Sequence, residues 1–377
     1  MAIEIKAIDS LSTKQLKKYI QFGNDLYKGN TCFVPSYIFD DINTLSPKKN
    51  PAYDICQAQL FMAYRDNKPV GRITAIINNV VNERTGEKTV RFGFADWIDD
   101  DEVVDALFDA VAKWGKQHGM TQIVGPMGFS DMDHEGMLVE GFDEMGTMAT
   151  IYNHAYYPKH MQRMGFEKEA EWVEFRIKVP DAVPEKILRI ADIVRHKYEL
   201  RTVTFKSRKK LKDQYGQALF NVINQAYDQL YGYSPLTQRQ INHYIDMYLG
   251  MVRLDCVSVI VDKNDELVGL GISLPSLSRA LQRCGGKLFP TGWWHSLKAI
   301  YGKNDVVDLM LIAVKPEYMN KGVNSLLFAD LIPAFIKNGF KYAESNPELA
   351  DNTAVQLQWQ YFDYRQHRRR QAFKKEI

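Results

Sequence analysis

The feature that most constrains the fold of this chain is a β-hairpin pattern that occurs twice. Residues 60–78, LFMAYRDNKPVGRITAIIN, and residues 257–275, VSVIVDKNDELVGLGISLP, each consist of two apolar runs around a polar turn. Asp66-Asn67 and Asn264-Asp265 form these turns, because short polar side chains tolerate the backbone of a tight hairpin. An internal repeat of this kind predicts two structurally equivalent halves.

The segments around each hairpin follow one order in both halves. A short strand and an amphipathic helix precede the hairpin, and a strand, a helix, a strand, a second helix and a closing strand follow it. Gly119 and Gly339 stand where a helix end favours a left-handed residue. The predicted strands are 4–8, 91–97, 121–126 and 166–177, then 202–207, 308–314, 341–345 and 371–377. The predicted helices are 101–119, one from Tyr152 through Tyr157, 210–230, 237–249, 324–339 and one from Asn352 through Trp359 to Tyr364.

The length of 377 residues exceeds what one core usually holds, so two domains are expected. Prolines at 180 and 184 interrupt the helix and strand patterns, which predicts domains at 1–180 and 181–377. Residues 277–303 are an insertion in the second half, expected to be a loop, and residues 128–147 are an insertion in the first. Sequence identity between the halves is low, so a coincidental alternation of strands and helices is the alternative to a repeat.

The composition fits a cytoplasmic globular protein. The net charge is +2, which demands neither a nucleic acid nor an anionic membrane as partner. The first residues lack a signal-peptide pattern, and no apolar run approaches the roughly 20 residues of a membrane-spanning helix. Four scattered cysteines without a CxxC pair fit free thiols in a reducing compartment. The histidines are also scattered, so we expect no metal site.

The segment most informative about chemistry is the turn after the strand at 308–314. Residues 320–324, NKGVN, open the helix that follows. A glycine before a helix lets backbone amides approach a phosphate, and the helix dipole adds positive charge there. Lys321 adds a cation. The turn therefore predicts a pyrophosphate site, with a chance glycine in an ordinary strand-to-helix turn as the alternative.

This turn and the order of elements resemble the GNAT superfamily of acetyl-CoA-dependent N-acetyltransferases. The pyrophosphate loop of that family reads R/Q-x-x-G-x-G/A, and here Met319, Gly322 and Asn324 occupy its three defined positions. The resemblance covers nearly the whole chain twice and implies an α/β fold (α+β by some schemes) of two tandem GNAT-like domains. Each domain would be a mixed, mostly antiparallel sheet flanked by helices. It also implies acetyl-CoA or another acyl-CoA as co-substrate, held in the second half by Leu311, Ile312, Ala313, Val314, Asn320, Lys321, Gly322, Val323, Asn324, Ser325 and Asn352.

The same resemblance suggests residues for the chemistry. The family often has N-x-x-A-x-x-L-Y after the fifth strand, with the tyrosine as general acid. Asn352 matches the pattern, but Trp359 takes the tyrosine position, so Tyr361 or Tyr364 would have to act in a shifted register. Glu344, at the end of a strand, is the candidate general base for an amine acceptor. Helix packing of the two tyrosines and a surface position for Glu344 are the alternatives.

The first half is less suited to the cofactor. Residues 96–102, DWIDDDE, place acids where a pyrophosphate would lie, although acids also cap helices well. The inserted loop and the helix after it resemble a group of bacterial tandem GNAT-like proteins without an assigned substrate. Loops this long are often functional, so the inserted loop and the helix after it are candidates for binding a cationic amine. The alternative is that their aromatic side chains pack between the halves and their acidic side chains are solvated. The candidate substrate-binding residues are Asp133, His134, Glu135, Tyr156 and Tyr157.

These observations favour an acyl-CoA-dependent N-acyltransferase, most simply an acetyltransferase, acting on a small-molecule or peptide amine. The acceptor would bind to the first half or between the halves. Two alternatives stay open: a non-catalytic GNAT-fold binding protein, and a transferase that uses aminoacyl-tRNA. The basic runs at 206–212 and 365–375 read as solvated faces rather than an RNA site, or as contacts for the 3′-phosphate of CoA.

Overall fold

The computed structural model of the protein describes residues 2–377, except the side chains at positions 251 and 354. The first half contains β1 (Glu4–Ile8), α1 (Thr13–Leu26), α2 (Ile38–Leu45), β2 (Cys56–Arg65), β3 (Lys68–Asn78), α3 (Asn79–Thr85), β4 (Thr89–Trp97), α4 (Asp101–Gln117), β5 (Gln122–Gly125), β6 (Met137–Glu140), α5 (Tyr156–Arg163) and β7 (Glu167–Lys178).

The second half contains α6 (Glu185–Tyr198), β8 (Arg201–Val203), α7 (Arg208–Tyr227), α8 (Gln238–Met251), β9 (Val257–Val261), β10 (Leu267–Pro275), α9 (Ser278–Cys284), α10 (Gly292–Tyr301), β11 (Val306–Val314), α11 (Asn324–Lys337), β12 (Tyr342–Ser345), β13 (Glu348–Leu349), α12 (Thr353–Gln356) and β14 (Tyr364–Glu376).

The chain forms two compact units whose residues are not contiguous in sequence. Unit 1 comprises the residues up to Val173 together with Ser278–Ser296 and Arg368–Ile377, and unit 2 comprises Glu174–Leu277 and Leu297–His367. The division at residue 180 stays a prediction. Three segments lie across it: residues 174–180 belong to unit 2, and Ser278–Ser296 and Arg368–Ile377 belong to unit 1.

Unit 1 is a mixed sheet in the order β1-β2-β3-β4-β5-β14, in which only β4 and β5 run parallel. Helix α4 buries its apolar stripe, including Leu107 and Phe108, with Phe92 and Trp97 of β4. Helix α1 packs Leu16 and Tyr19 against Leu60 and its neighbours in a second core. Burial of these side chains is the main favourable contribution to folding of the unit.

Unit 2 repeats this arrangement in the order β7-β12-β11-β10-β9-β8, with β11 and β12 as the parallel pair. The residues of β7 that belong to this unit pair antiparallel with β12. Val194 of α6 and Leu326 of α11 pack with Val268 and Val314 in one core. The predicted fold class, two tandem GNAT-like mixed sheets flanked by helices, is therefore confirmed.

Both hairpins form as predicted. Asp66 and Asn67 have positive φ angles of 52° and 62°, and Asp265 has φ 64°, which is the turn geometry that suits the right-handed twist of the strands. Gly119 and Gly339 have φ angles of 78° and 75°, as a helix C-terminus favours.

Each central strand contains one additional residue, a β-bulge, at the same place in the fold. In β4, Arg72 pairs with Asp96 but Thr74 pairs with Gly93, and Phe94 between them has φ 45°. In β11 the register shifts so that Met310 is the extra residue. Bulges bend a strand and end regular pairing, and parallel pairing with the next strand stops at Arg91 in one unit and Leu309 in the other.

Three expectations about secondary structure are wrong. The helix predicted through Tyr364 ends as α12 at Gln356, because a tight 3₁₀ turn at Leu357–Tyr361 follows and Tyr364 begins β14. The insertion at 277–303 is not a loop, since it forms α9 and α10 with buried inner faces. The helix predicted from Tyr152 begins four residues later, at Tyr156. Helix α6 was not predicted.

Candidate active site

The second unit has an open strand edge beside its central strand. Parallel pairing of β11 with β12 ends at Leu309 and Ser345, although β11 continues to Val314. Within the described chain, the edge of β11 that faces away from β10 has no strand partner beyond that point. The side chains from Leu309 to Ile312 are half-exposed although they lie on a central strand. This combination marks a solvent-accessible slot where β11 and β12 separate.

Two side chains already bind carbonyl groups on this edge. The Asn346 amide donates to the carbonyl of Met310 at 2.6 Å, and the Tyr227 hydroxyl donates to the carbonyl of Ile312 at 2.8 Å. The backbone amide of Lys315 donates to the carbonyl of Val268 on the β10 side. Successive amides along a strand point to opposite edges, so the amides of Ile312 and Val314 point to the edge without a strand partner. The slot therefore offers amide donors to an extended ligand.

The predicted pyrophosphate turn follows the slot. Asn320 has φ 58° and Gly322 has φ 77°, so the chain needs left-handed backbone at both positions. Ser325 donates to the carbonyl of Gly322 through its amide at 3.0 Å and its hydroxyl at 2.6 Å. In residues 2–377, no protein acceptor binds the exposed amides of Lys321 and Gly322, which is the usual state of a helix N-terminus.

Helix α6 lies directly against this turn. A side chain at Gly322 would meet Ile190 at 3.0 Å, a tight contact, and the positive φ angle of this residue itself favours glycine. The ammonium of Lys321 lies over the rings of Tyr198 and Tyr318, at 5.4 and 5.6 Å from their centroids. Cation–π contacts at an exposed site are weak, so Lys321 is free to contact an anion.

A buried indole and a half-buried carboxyl group connect to the turn. The indole N–H of Trp359 donates to both carboxylate oxygens of Glu348, at 3.1 and 3.2 Å. Burial raises the pKa of Glu348 to about 8, although hydrogen bonds from Trp359 and Ser345 oppose the shift. The neighbour of Trp359, Gln358, accepts a 3.4 Å hydrogen bond from the amide of Asn324 in the turn. A carboxyl group with this pKa can exchange a proton near neutral pH.

Glu344 lies in a buried ionic row rather than at the surface. It pairs across the strands with Asp308 on one side and Arg176 on the other, so the three side chains share one face of the sheet. Its carboxylate lies 3.0 Å from Nε2 of His367 and 3.5 Å from the guanidinium of Arg176. Its role as a general base stays a prediction, and the surface alternative is wrong because the residue is buried.

The remaining predicted residues of this site are spread out. Tyr361 lies under the ammonium of Lys186, 4.7 Å from its ring centroid. Tyr364 is exposed on β14 with its ring against Phe175. Asn352 precedes α12 and donates its own backbone amide to Leu349. The structure therefore brings Asn324, Trp359 and Glu348 together and leaves both tyrosines outside that group.

In the first unit, protein side chains fill the equivalent slot. The backbone amide of Trp97 donates to the Tyr157 hydroxyl at 3.0 Å, and the Tyr156 hydroxyl donates to the carbonyl of Trp97 at 2.6 Å. The amide of Met127 donates to the carbonyl of Phe92 at 2.8 Å. The central strand β4 is correspondingly more buried than β11. Both tyrosines thus close the end of β4, and their assignment to substrate binding stays a prediction.

The acidic turn of the first unit is neutralised by neighbouring cations. Asp100 caps α4 by accepting from the amide of Val103, and it binds Arg65 through both oxygens at 2.7 and 3.0 Å. His160 lies 2.9 Å from Asp99, and Arg163 contacts Asp101 and Asp105. Helix capping and ion pairing thus explain the acids at this turn.

The inserted loop of the first unit contains a group of half-buried ionisable side chains. Burial raises the pKa of Asp131 and of Asp133 to about 6, and it raises the pKa of Glu135 well above its usual value. Arg91 opposes each shift by its charge. Burial lowers the pKa of His134 to about 4. The side chains stay partly accessible to solvent, so the loop could bind a cation.

Sequence reasoning missed Glu348, Tyr227 and Asp131. The polar character of Glu348 after a strand was visible, but its burial depends on the indole of Trp359 and could not be read from spacing. No group of three or more His, Cys, Asp or Glu residues in the described chain is arranged for a metal ion. Helices long and apolar enough to cross a membrane are not found in the described residues.

Comparisons with known proteins agree with this architecture. No protein-family model matches the chain. Protein YghO of Escherichia coli K12 is 27% identical over 376 residues, covering 97% of this chain and 94% of that protein. A bacterial ceramide synthase of Caulobacter vibrioides is 27% identical over 340 residues, covering 85% and 83%.

Two solved structures resemble the chain over 99% of its length. One is a tandem GNAT protein from the clavulanic acid biosynthesis pathway, with TM-score 0.57, 12% identity and 98% of that chain covered. The other is a GCN5-related glucosamine N-acetyltransferase region of a fungal multi-domain enzyme, with TM-score 0.52, 12% identity and 38% covered. At this identity the likeness concerns structure, and the chain has the tandem GNAT fold.

Proposed function

We propose that the protein is an acyl-CoA-dependent N-acyltransferase that binds the acyl-CoA in unit 2. The observation that carries the proposal is the open edge of β11 from Met310 to Val314, which leads to the exposed amides at Lys321 and Gly322. In unit 1, Tyr156 and Tyr157 occupy the equivalent edge. An open slot in one unit and a filled one in the other favour a single cofactor site.

The residues present fit an acyl-CoA in kind. The amides of Ile312 and Val314 would bind the amide-containing pantetheine arm, as a neighbouring strand would. The helix N-terminus and Lys321 would bind the pyrophosphate. Bound acyl-CoA would supply an activated thioester carbonyl. Met319 replaces the Arg or Gln of the family pattern, so we expect weaker binding than in family members that keep it.

The acceptor amine must lose a proton to become nucleophilic, and Glu348 is the residue best suited to accept it. Glu348 begins β13, three residues after β12 ends, and its carboxyl is hydrogen-bonded to the side chain of Ser345. A pKa near the working pH gives both a deprotonated fraction and enough basicity. The indole of Trp359 fixes the orientation of this carboxylate. We propose Glu348, with Glu344 as the second candidate.

The relationship to a bacterial ceramide synthase supports N-acylation as the reaction. Ceramide is an amide of a long-chain amino alcohol, so the name of that relative describes acyl transfer to a lipid amine. A long-chain amine is therefore the acceptor class to test first. A cytoplasmic location stays a prediction.

Binding of the cofactor is tested by calorimetry with coenzyme A, acetyl-CoA and palmitoyl-CoA. We expect Lys321→Glu to weaken binding by about tenfold, because it reverses the charge beside the proposed pyrophosphate. Lys337→Glu, at the exposed far end of the same helix, is the control and should bind normally. Absence of heat with all three ligands at millimolar concentration would refute the cofactor assignment and favour a non-catalytic binding protein.

Turnover is tested by release of the CoA thiol in the presence of sphinganine, a polyamine or an amino-acid amide. We expect release to depend on the amine and to fall by about a hundredfold in Glu348→Gln. Asp351→Asn, an exposed carboxylate nearby, is the control. Transfer from aminoacyl-tRNA with no response to acyl-CoA would instead favour the tRNA-dependent alternative.

A further inference from the structure

The second insertion presents aromatic side chains to solvent. Phe289 is 74% exposed, Trp294 57% and Trp293 44%. Leu297 and Tyr301 continue the same face along α10 at helical spacing and are also exposed. These five residues are called the aromatic face. Scattered exposed apolar residues are ordinary, but a contiguous group indicates an interaction surface.

This segment is held firmly by its inner side. Within unit 1, the amide of Ile38 donates to the carbonyl of Gly286 at 2.9 Å. The side chain of Gln282 donates to the carbonyls of Thr31 and Phe33 at 2.7 and 2.9 Å, and the hydroxyls of Tyr37 and Ser296 share a hydrogen bond. The outward position of the aromatic face is therefore set by the fold and not by a loosely attached loop.

The charged side chains of the segment that carries the aromatic face are all cationic. From residue 267 to residue 304 the chain has no Asp or Glu, but it has five cations: Arg279, Arg283, Lys287, Lys298 and Lys303. All five are exposed, and none forms an ion pair with any residue from 2 to 377. The net charge of the whole chain is only +2, so it does not reveal this local excess of cations and gave no reason to expect a membrane partner.

We infer that the aromatic face of α10 docks the protein on the surface of a membrane that contains anionic lipids. Tryptophan and phenylalanine side chains favour the interfacial region of a bilayer, and exposed lysines and arginines bind anionic headgroups. A symmetric contact between two copies would bring ten uncompensated cations together, and their repulsion opposes it. The inference goes beyond the proposed activity and does not depend on it.

The test is sedimentation of the full-length protein with vesicles of phosphatidylcholine alone and with phosphatidylglycerol added at three parts in ten. We expect binding to the anionic vesicles that weakens at high salt. Trp293→Ala with Trp294→Ala should reduce the partition coefficient by about tenfold or more, because two rings leave the interface. Lys287→Ser with Lys298→Ser should reduce it by roughly twenty-five-fold, at about fivefold for each charge.

The matched control is Leu188→Ala with Ile193→Ala, two exposed apolar side chains on α6, which should bind as the unchanged protein does. Circular dichroism confirms that each variant is folded. A protein that stays in the supernatant with both vesicle types would overturn the inference. So would sedimentation-velocity data showing a dimer that the tryptophan substitutions dissociate, since a second copy would then cover the aromatic face.

Discussion

The indole of Trp359 donates a hydrogen bond to both carboxylate oxygens of Glu348, so a half-buried carboxyl group is held by a side chain that cannot itself give up a proton. In the GNAT pattern this helical position often carries a tyrosine. Here the tryptophan offers no titrating group, whereas burial raises the pKa of its partner Glu348 to about 8.

The first prediction concerns the pH dependence of turnover. If Glu348 accepts the proton of the amine, kcat/KM should rise with pH and level off above about pH 8, because the carboxyl group must be deprotonated. Glu348→Gln should lower kcat/KM by about a hundredfold and remove this rise. The pH profile of Asp351→Asn should match that of the unchanged protein. An unchanged profile in Glu348→Gln would exclude the assignment.

The second prediction separates a structural from a chemical role of Glu344. Glu344→Gln leaves Arg176 and His367 without their carboxylate, which should lower the free energy of unfolding by about 2–3 kcal/mol. We expect kcat/KM to stay within about threefold of its original value, since chemistry is assigned to Glu348. Urea unfolding and steady-state kinetics, measured on one preparation, distinguish a structural from a chemical role of Glu344. Loss of turnover with full stability would make Glu344 the base.

The third prediction concerns the inserted loop of unit 1. Asp131 has a folded pKa of about 6, above its unfolded value, so the folded state holds the proton more tightly and stability falls as pH rises from about 4 to above 6. Asp131→Asn should therefore raise the free energy of unfolding by about 1–2 kcal/mol at pH 8, allowing for partial exposure, and leave it unchanged at pH 4. Asp143→Asn, exposed in the same loop, is the control. Equal effects at both pH values would contradict the prediction.

The fourth prediction concerns Tyr157. Its hydroxyl accepts from the amide of Trp97 and receives a hydrogen bond from Tyr27, both at 3.0 Å in the interior of unit 1. Tyr157→Phe should destabilise the protein by about 1–3 kcal/mol, because the buried amide loses its acceptor. KM for the amine should not change. Tyr64→Phe, which removes a half-buried hydroxyl, is the control. If Tyr157→Phe instead raised the KM for the amine and left stability normal, substrate binding by Tyr157 would be supported.

Local patterns were sufficient to predict most of the fold. The hairpin turns at Asp66-Asn67 and Asn264-Asp265 depend on neighbouring residues, so sequence predicts them correctly. Helix α4 and strand β4 likewise follow from apolar periodicity and the cap at Asp100. The left-handed turn at Gly322 before α11 also follows from neighbouring residues.

What sequence could not predict depends on contacts between distant residues. The α6 helix packs against Gly322 through Ile190, and nothing in either segment indicates the other. Glu348 is covered by Trp359, which lies in a 3₁₀ turn. The sequence pattern predicted a continuous helix through Tyr364 and so gave no indication of that turn. The closure of the first slot depends on Tyr156 and Tyr157 reaching the end of β4, far away in sequence.

The exchange of segments between the units has a consequence for synthesis of the protein. Strand β5 of unit 1 pairs with Phe373–Glu376, which follow the whole of unit 2 in the sequence. Domains usually fold one after another as the chain emerges, but here the edge of β5 must wait for the whole of the second half. Until β14 has been synthesised, nascent unit 1 therefore has one unpaired strand edge on β5, because only the other edge of β5 pairs with β4.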